Sequence, residues 1–186
     1  MIEIFSAFGL SAATGLNAYL PLLIVGVLAR FTDLISLKPP WNTLAHPGVL
    51  VVLAVLLVIE MLADKIPIVD SINDMVQTFV RPAAGAILFA AAGNVISEIS
   101  PVLAMICGLL VAGGVHAAKS TTRPTITAST AGLGNPVLSI LEDLFSGVVT
   151  FISIFLPVLI AIAAAALLGL WGWSRIRRYC CGIKSS

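Results

Sequence analysis

The stretch "PVLSILEDLFSGVVTFISIFLPVLIAIAAAALLGLWGW", residues 136–173, is almost continuously apolar and decides the class of fold. As a single helix it would be about 57 Å long at 1.5 Å per residue, nearly twice the hydrocarbon thickness of a bilayer. It must therefore break, and Pro157 is the place, because proline cannot continue the hydrogen-bond ladder of a helix. The stretch predicts two membrane-spanning segments, at 136–155 and 156–173.

The composition predicts the same class. Hydrophobic residues make up 59% of the 186 residues, charged residues make up 10%, and the mean hydropathy is +1.10. Soluble domains carry about 25% charged residues, and a soluble fold of this length has too little interior to bury so much apolar surface. The predicted fold is all-α, a polytopic integral membrane helix bundle in one transmembrane domain over 1–186, with a basic juxtamembrane tail at 174–186.

Further candidate spans bring the predicted number of transmembrane helices to five or six: 4–29, 48–63, 82–96 and 101–118. Lys and Arg are enriched in cytoplasmic loops. With six spans, both termini share a side, which holds the basic tail and four more basic residues: Lys65, Arg81, Lys119 and Arg123. This asymmetry predicts a cytoplasmic C-terminus. If 136–155 is instead a re-entrant half-helix, five crossings remain and the N-terminus moves outside.

The segment "IEMLADKIPIVDSINDMVQTFVRP", residues 59–82, is the first polar region. Glu60 and Asp64 are four residues apart, so they share a helix face, and Lys65 follows at the boundary. Pro67 is expected to end that helix. Asp70 is a suitable N-cap for the next one.

Polar residues recur at helical spacing after Asp70, at Asp74, Gln77 and Arg81, while apolar residues lie on the opposite side. This pattern predicts a short amphipathic helix at about 68–80. Such a helix is too short and too polar to span a bilayer. It lies on the interface, or it dips into the protein beside an aqueous cavity.

The segment "HAAKSTTRPTITASTAGLGNP", residues 116–136, is the second polar region. His116, Lys119 and Arg123 are three and four residues apart, so they share one face of a continuing helix. Pro124 disfavours helix at Arg123. The hydroxyl-rich and glycine-rich remainder predicts a re-entrant segment at about 119–136. Irregular backbone at membrane depth requires burial in protein or contact with water.

Ionisable groups inside a bilayer are costly and usually functional, so the polar residues near the spans are candidates for lining a cavity or binding a solute. The set is Asn17, Glu60, Asp64, Lys65, Asp70, Asp74, Arg81, His116, Lys119, Arg123, Asn135, Ser139, Glu142 and Asp143. Acids and bases in this set nearly balance. Salt bridges that only hold the bundle together are therefore an equal alternative.

The sequence contains no pattern that is typical of a catalytic site or a metal site. Cys107 lies in an apolar run, the adjacent Cys180 and Cys181 suit neither a normal disulfide nor a zinc site, and no tight ligand cluster is visible. We expect no catalytic residues, no metal and no cofactor; a lipid-phosphate hydrolase is the enzymatic alternative. A net charge of +1 gives no case for nucleic-acid binding.

Four motifs together resemble the bacterial membrane-protein family catalogued as domain of unknown function 4126. They are "GLSAATGLNAYLPLLIVGVLAR" (9–30), "EMLADKIPIVDSINDMVQTFVRPAAGA" (60–86), "VHAAKSTTRP" (115–124) and "GLGNPVLSILEDL" (132–144). The resemblance implies a small multi-spanning protein of the bacterial inner membrane. It implies no activity.

Broken helices and charges at the span edges favour a channel or transporter for a small polar solute or ion. A chain this small is expected to need a homo-oligomer for a full pathway, with membrane lipids as its other partners. A lipid scramblase or lipid-phosphate carrier is one alternative, with basic residues on the lipid headgroup. A structural or assembly subunit without a solute is the other.

Overall fold

A computed structural model of the chain describes residues 2–63, 67–93, 100–130 and 134–156. The α-helices in these ranges are α1 (Ile2–Leu16), α2 (Tyr19–Phe31), α3 (Pro47–Ala63), α4 (Pro67–Gly93), α5 (Pro101–Thr130) and α6 (Asn135–Leu156), and a 3-10 helix (Trp41–Ala45) precedes α3. The described ranges contain no strand. The predicted all-α class is confirmed.

Three helices contain segments that are long and apolar enough to cross a membrane: Ile72–Ala92, Pro101–Thr122 and Asn135–Leu156. The apolar parts of α1, α2 and α3 are shorter. These helices support an integral membrane protein, and the number of five to six crossings stays a prediction. The predicted segment 136–155 corresponds to α6, whereas Pro157, the segment that follows it and the basic tail lie outside the described residues.

The predicted span at 4–29 is wrong as a single helix, because α1 ends at Leu16 and α2 begins at Tyr19. In an unbroken helix Pro21 could not donate to the Asn17 carbonyl, and its ring would clash with that carbonyl. Instead, Asn17 Oδ1 accepts the backbone N–H groups of Tyr19 at 3.1 Å and Leu20 at 2.9 Å. The Asn17 side chain thus caps the first turn of α2.

The predicted amphipathic helix at 68–80 and the predicted span from Pro82 are one helix, α4, with Pro82 inside it. Pro67 begins this helix, which agrees with the tolerance of proline in a first helical turn. The predicted end of the preceding helix falls on 64–66, which lie outside the described residues. Asp70 therefore lies within α4 and is not its N-cap.

The predicted helix break at Arg123 is also wrong, because α5 continues past Pro124 to Thr130. One interior proline costs about 3 kcal/mol, which the remaining hydrogen bonds of a helix of 30 residues can offset. The hydroxyls of Ser120 and Thr121 do not cap a loop here but donate to carbonyls three residues earlier. The re-entrant segment at 119–136 stays a prediction, now with a helical backbone as far as Thr130.

Small residues bring α1, α4 and α5 together. Ser11 Oγ, fully buried on α1, lies 2.8 Å from the Gly108 carbonyl oxygen and 3.2 Å from the Gly85 carbonyl oxygen. A Cβ atom on Gly108 would overlap the Gly85 carbonyl oxygen, so only glycine permits this approach of α5 to α4. Such close contacts replace the hydrophobic driving force that helices lack inside a bilayer.

We predict that Gly108→Ala destabilises the bundle by about 1–3 kcal/mol, as overpacking usually does. The added methyl group would lie 2.6 Å from Phe89 Cβ and would overlap the Gly85 backbone. Thermal unfolding in detergent measures the loss. Gly114→Ala on the same helix is the matched control, because no atom lies within 4 Å of its Cβ position. Equal melting temperatures for the two variants would contradict the close packing of α4 and α5.

Candidate functional site

Two groups of polar side chains lie near the break between α1 and α2. The first, the arginine cluster, consists of Glu60, Asp74, Thr78, Arg81 and His116. The second, the lysine cluster, consists of the Leu16 carbonyl and the side chains of Asn17, Lys119, Glu142 and Asp143.

Arg81 is the centre of the arginine cluster and is 0% exposed. Its Nη2 atom lies 3.0 Å from Glu60 Oε1 on α3, and the Glu60 side chain is 1% exposed. Its Nη1 atom lies 3.0 Å from His116 Nδ1 on α5 and 4.0 Å from Asp74 Oδ1 on its own helix. One guanidinium therefore joins three helices.

His116 links this guanidinium to a more exposed part of α4. Its Nε2 atom lies 3.1 Å from Thr78 Oγ1, and that hydroxyl lies 2.8 Å from the backbone carbonyl oxygen of Asp74. Thr78 is exposed, whereas His116 is only 5% exposed. A chain of hydrogen bonds thus runs from the exposed Thr78 through His116 and Arg81 to the buried Glu60.

Two buried polar atoms beside this chain have no hydrogen-bond partner among the described residues: Arg81 Nε, a donor, and Gln77 Oε1, an acceptor. Both residues lie on the same face of α4 at a spacing of four, and the Tyr19 side chain interacts with both. A buried polar atom without a partner costs about 1–3 kcal/mol. A small molecule that both donates and accepts hydrogen bonds would recover this cost.

The lysine cluster contacts the end of α1 and the residue that caps α2. Lys119 Nζ lies 2.8 Å from Glu142 Oε2 on α6 and 3.0 Å from the carbonyl oxygen of Leu16, the last residue of α1. Carbonyls at a helix C-terminus carry partial negative charge, which the ammonium group stabilises. Asn17 Nδ2 donates to Asp143 Oδ1 at 2.8 Å, so the residue that caps α2 is also attached to α6.

The two clusters are connected along α5, where His116 and Lys119 are three residues apart, and across the break, where Asn17 and Tyr19 are two apart. Each cluster carries one described basic side chain, Arg81 or Lys119, and two carboxylates. Each cluster therefore combines acidic and basic side chains inside an apolar bundle, where ionisable groups are costly and usually functional.

The largest cavity near the clusters is a groove of about 530 Å³ between α2, α3 and α6. Its walls are apolar except for Asp143, whose carboxylate Asn17 also contacts. Among the described cavities, none has the arginine cluster in its lining. Arg81 and Glu60 are buried, whereas Asp143 is half-buried and lies in the lining of the groove.

The structure places eight of the sequence-predicted candidates in the two clusters: Asn17, Glu60, Asp74, Arg81, His116, Lys119, Glu142 and Asp143. Ser139 is buried on α6 and Asn135 begins that helix, half-buried. Asp70 and Arg123 lie in α4 and α5, but their side chains are outside the described part of the structure. Asp64 and Lys65 lie outside the described residues altogether.

Sequence reasoning missed three members of this region: Ser11, Tyr19 and Thr78. Thr78 had a detectable signal, since it is four residues after Asp74 and three before Arg81, on the polar face of α4. Ser11 is indistinguishable from the small residues around it in "GLSAATG". Tyr19 became recognisable only once the helix break at Asn17 was located.

These features define an all-helical protein with apolar helices of membrane-spanning length and buried ionic clusters beside a broken helix. The chain belongs to the family described as Domain of unknown function (DUF4126), whose model matches residues 4–177. The family predicted from the four sequence motifs is thereby confirmed. No curated protein and no solved structure matches the chain.

We predict that Glu60→Leu destabilises the protein by about 3–5 kcal/mol, because Arg81 then lacks its buried counter-charge. The double variant Glu60→Leu/Arg81→Met should recover most of this loss, since apolar replacement of a whole buried ion pair is often neutral. Thermal unfolding in detergent measures the stability of the wild type, the two single variants and the double variant, which together form a double-mutant cycle.

Asp33→Asn, which neutralises an exposed carboxylate in the loop after α2, is the control and should leave the melting temperature unchanged. Additive losses in the Glu60/Arg81 cycle would contradict a direct buried pairing.

Proposed function

We propose that this protein is a membrane channel or transporter for a small polar solute or ion, and specifically for a cation or proton. The observation that supports the proposal most is the break between α1 and α2, because both ionic clusters contact residues beside it: Lys119 contacts Leu16, and Tyr19 interacts with Glu60 and Arg81. Transporters commonly place discontinuous helices at their binding sites, because the ends of the half-helices supply unpaired backbone charge. Here Lys119 binds the last carbonyl of α1, and the Asn17 side chain accepts a backbone N–H of the first turn of α2.

Cation preference follows from the charges. Asp143 is the one ionisable residue in the lining of the apolar groove, and it is acidic. A path that passes the helix break would therefore meet negative charge first. An anion would have to approach Arg81 and Lys119, which are buried against Glu60 and Glu142.

The lipid-phosphate alternative has less support for the same reason. A headgroup phosphate needs accessible basic residues. Arg81 is 0% exposed, Lys119 is 6% exposed, and the groove beside them presents an acid. A structural subunit without a solute would account for the salt bridges equally well. It gives no reason for a helix break beside them, and so it has less support.

A flux assay in proteoliposomes tests the proposal. We expect the purified protein to increase proton entry, followed with entrapped pyranine, or uptake of radiolabelled Na⁺ or Rb⁺, above protein-free liposomes. Asp143→Asn should reduce that rate about tenfold, equivalent to a barrier increase of about 1.4 kcal/mol. The matched control is Asp33→Asn, which makes the same chemical change at an exposed loop position.

Rates equal to protein-free liposomes for all three probes would refute cation transport and favour a structural subunit. Equal rates for Asp143→Asn and Asp33→Asn would refute a path along the groove. Transfer of a fluorescent phospholipid between leaflets in the same liposomes, without ion flux, would instead support the lipid alternative.

A further inference from the structure

We propose that α1 and α2 form a re-entrant hairpin, which enters and leaves the membrane on one face and has its tip, Asn17 and Ala18, inside the bilayer. This placement goes beyond the proposed function, because it would hold whether or not a solute crosses the membrane. Three features support it: the chain reverses its direction at the tip, both helices are short, and the tip packs against the interior of longer helices.

The start of α1 and the end of α2 lie on the same side of the bundle. One cavity of about 170 Å³ is lined by Ser6 of α1, Val25 of α2 and residues 34–37 of the loop that follows α2. In one straight helix, Ser6 and Val25 would be about 29 Å apart, too far to line so small a cavity. Trp41, which follows that loop, also packs against the buried cluster that contains Ala7. The chain therefore turns back on itself between α1 and α2.

The contacts of α1 with α6 show the direction in which the hairpin runs. Near the start of α1, Ser6 Oγ donates to the Ser153 carbonyl oxygen at 2.6 Å. At the tip, Asn17 Nδ2 donates to Asp143 Oδ1 at 2.8 Å. Helix α1 thus runs antiparallel to α6, from the last part of that helix towards its middle, and α2 returns in the opposite direction.

Both helices are too short to cross the hydrocarbon layer. Helix α1 has 15 residues and α2 has 13, which correspond to about 22 Å and about 20 Å at 1.5 Å per residue, whereas the layer is about 30 Å thick. A helix that enters at one face therefore ends inside the layer, where protein must satisfy the backbone groups of the turn. Asn17 meets this requirement, because its side chain accepts the N–H groups of Tyr19 and Leu20.

The tip packs at an intermediate depth of a helix that is long enough to cross a membrane. Asn17 contacts Asp143, which lies about 12 Å from one end of the apolar segment Asn135–Leu156 and about 20 Å from the other. Asn17 and Ala18 are both 0% exposed. Two helices that lay on the membrane surface would not bury their connection in this way. The tip therefore lies inside the bilayer, and α1 and α2 add no crossing.

The residues at the base of the hairpin suit a membrane–water interface. Arg30 lies in the last turn of α2, and its guanidinium is 5.7 Å from the centre of the exposed Phe31 ring. Trp41 follows in the 3-10 helix. Tryptophan and basic side chains with an apolar stem are typical of the level at which helices leave the hydrocarbon layer.

The tip is also the place where the two ionic clusters meet the hairpin. Lys119 binds the Leu16 carbonyl, and Tyr19 interacts with Arg81. Helix ends inside a bilayer need such partners, because no water satisfies their backbone groups there. The re-entrant turn thus gives a reason for ionisable groups at this depth, and a path between the two faces would have to pass it.

Cysteine labelling of the full-length protein in sealed membrane vesicles of known orientation tests the placement. All three native cysteines are first replaced: Cys107→Ala, Cys180→Ser and Cys181→Ser. Single cysteines are then introduced by insertion after Met1, by Asp33→Cys in the exposed loop after α2, and by Ser129→Cys at an exposed position near the end of α5. We expect a membrane-impermeant maleimide to label the first two from one face only. It should label Ser129→Cys from the other face, because α5 continues past the tip from Lys119 to Thr130.

Spin-label distances check the reversal of the chain independently. Labels on Phe5→Cys and Asp33→Cys, both at exposed positions, should be clearly closer together than labels on Phe5→Cys and Ser129→Cys, which form the control pair. A continuous helix from Phe5 to Asp33 would instead separate the first pair by about 42 Å.

Labelling of the inserted cysteine and of Asp33→Cys from opposite faces would reveal a crossing and overturn the proposal. Labelling of Ser129→Cys from the same face as Asp33→Cys would overturn it too. Equal distances in the two spin-label pairs, at unchanged helical circular dichroism, would contradict the reversal. Failure of the flux assay, with the expected faces labelled, would refute transport and leave the hairpin intact.

Discussion

The relative positions of α3, α4 and α5 depend on the Arg81 guanidinium. From α4 it donates to a carboxylate on α3 and to an imidazole on α5, and its side chain is fully buried. Lipid tails are as apolar as leucine, so apolar surface gives membrane helices little preference for one another. Directional hydrogen bonds from one planar group can specify both neighbours of α4 at once, which a leucine at that position could not do.

The close approach at Ser11, Gly85 and Gly108 makes this arrangement possible. It brings α1, α4 and α5 near enough for Lys119 of α5 to reach the last carbonyl of α1. The end of α1 is thus stabilised by a residue one turn away from His116. The helix break and the arginine cluster are parts of one packing arrangement, and a change in the position of α5 would alter both.

The sequence predicted the all-helical membrane class, the family and most members of the two clusters, because apolar length and intramembrane charge are local signals. It did not predict the continuity of α4 through Pro82 or of α5 through Pro124, since a local rule assigns a break to each proline. The opposite error occurred at Asn17, where Pro21 acts through the carbonyl four residues earlier. The pairing of Arg81 with His116 was inaccessible because it joins residues 35 apart that only tertiary packing brings together.

Stability alone does not explain why so many ionisable groups lie inside this bundle. Replacing a buried ion pair by apolar residues is often neutral or stabilising, and the described part of the protein contains two such pairs, Glu60–Arg81 and Lys119–Glu142. Packing also does not require a histidine between a guanidinium and an exposed threonine, since an amide could make the same two hydrogen bonds. The chain thus places ionisable side chains at contacts between helices where apolar packing could be equally stable, as expected where such groups inside a bilayer serve a function.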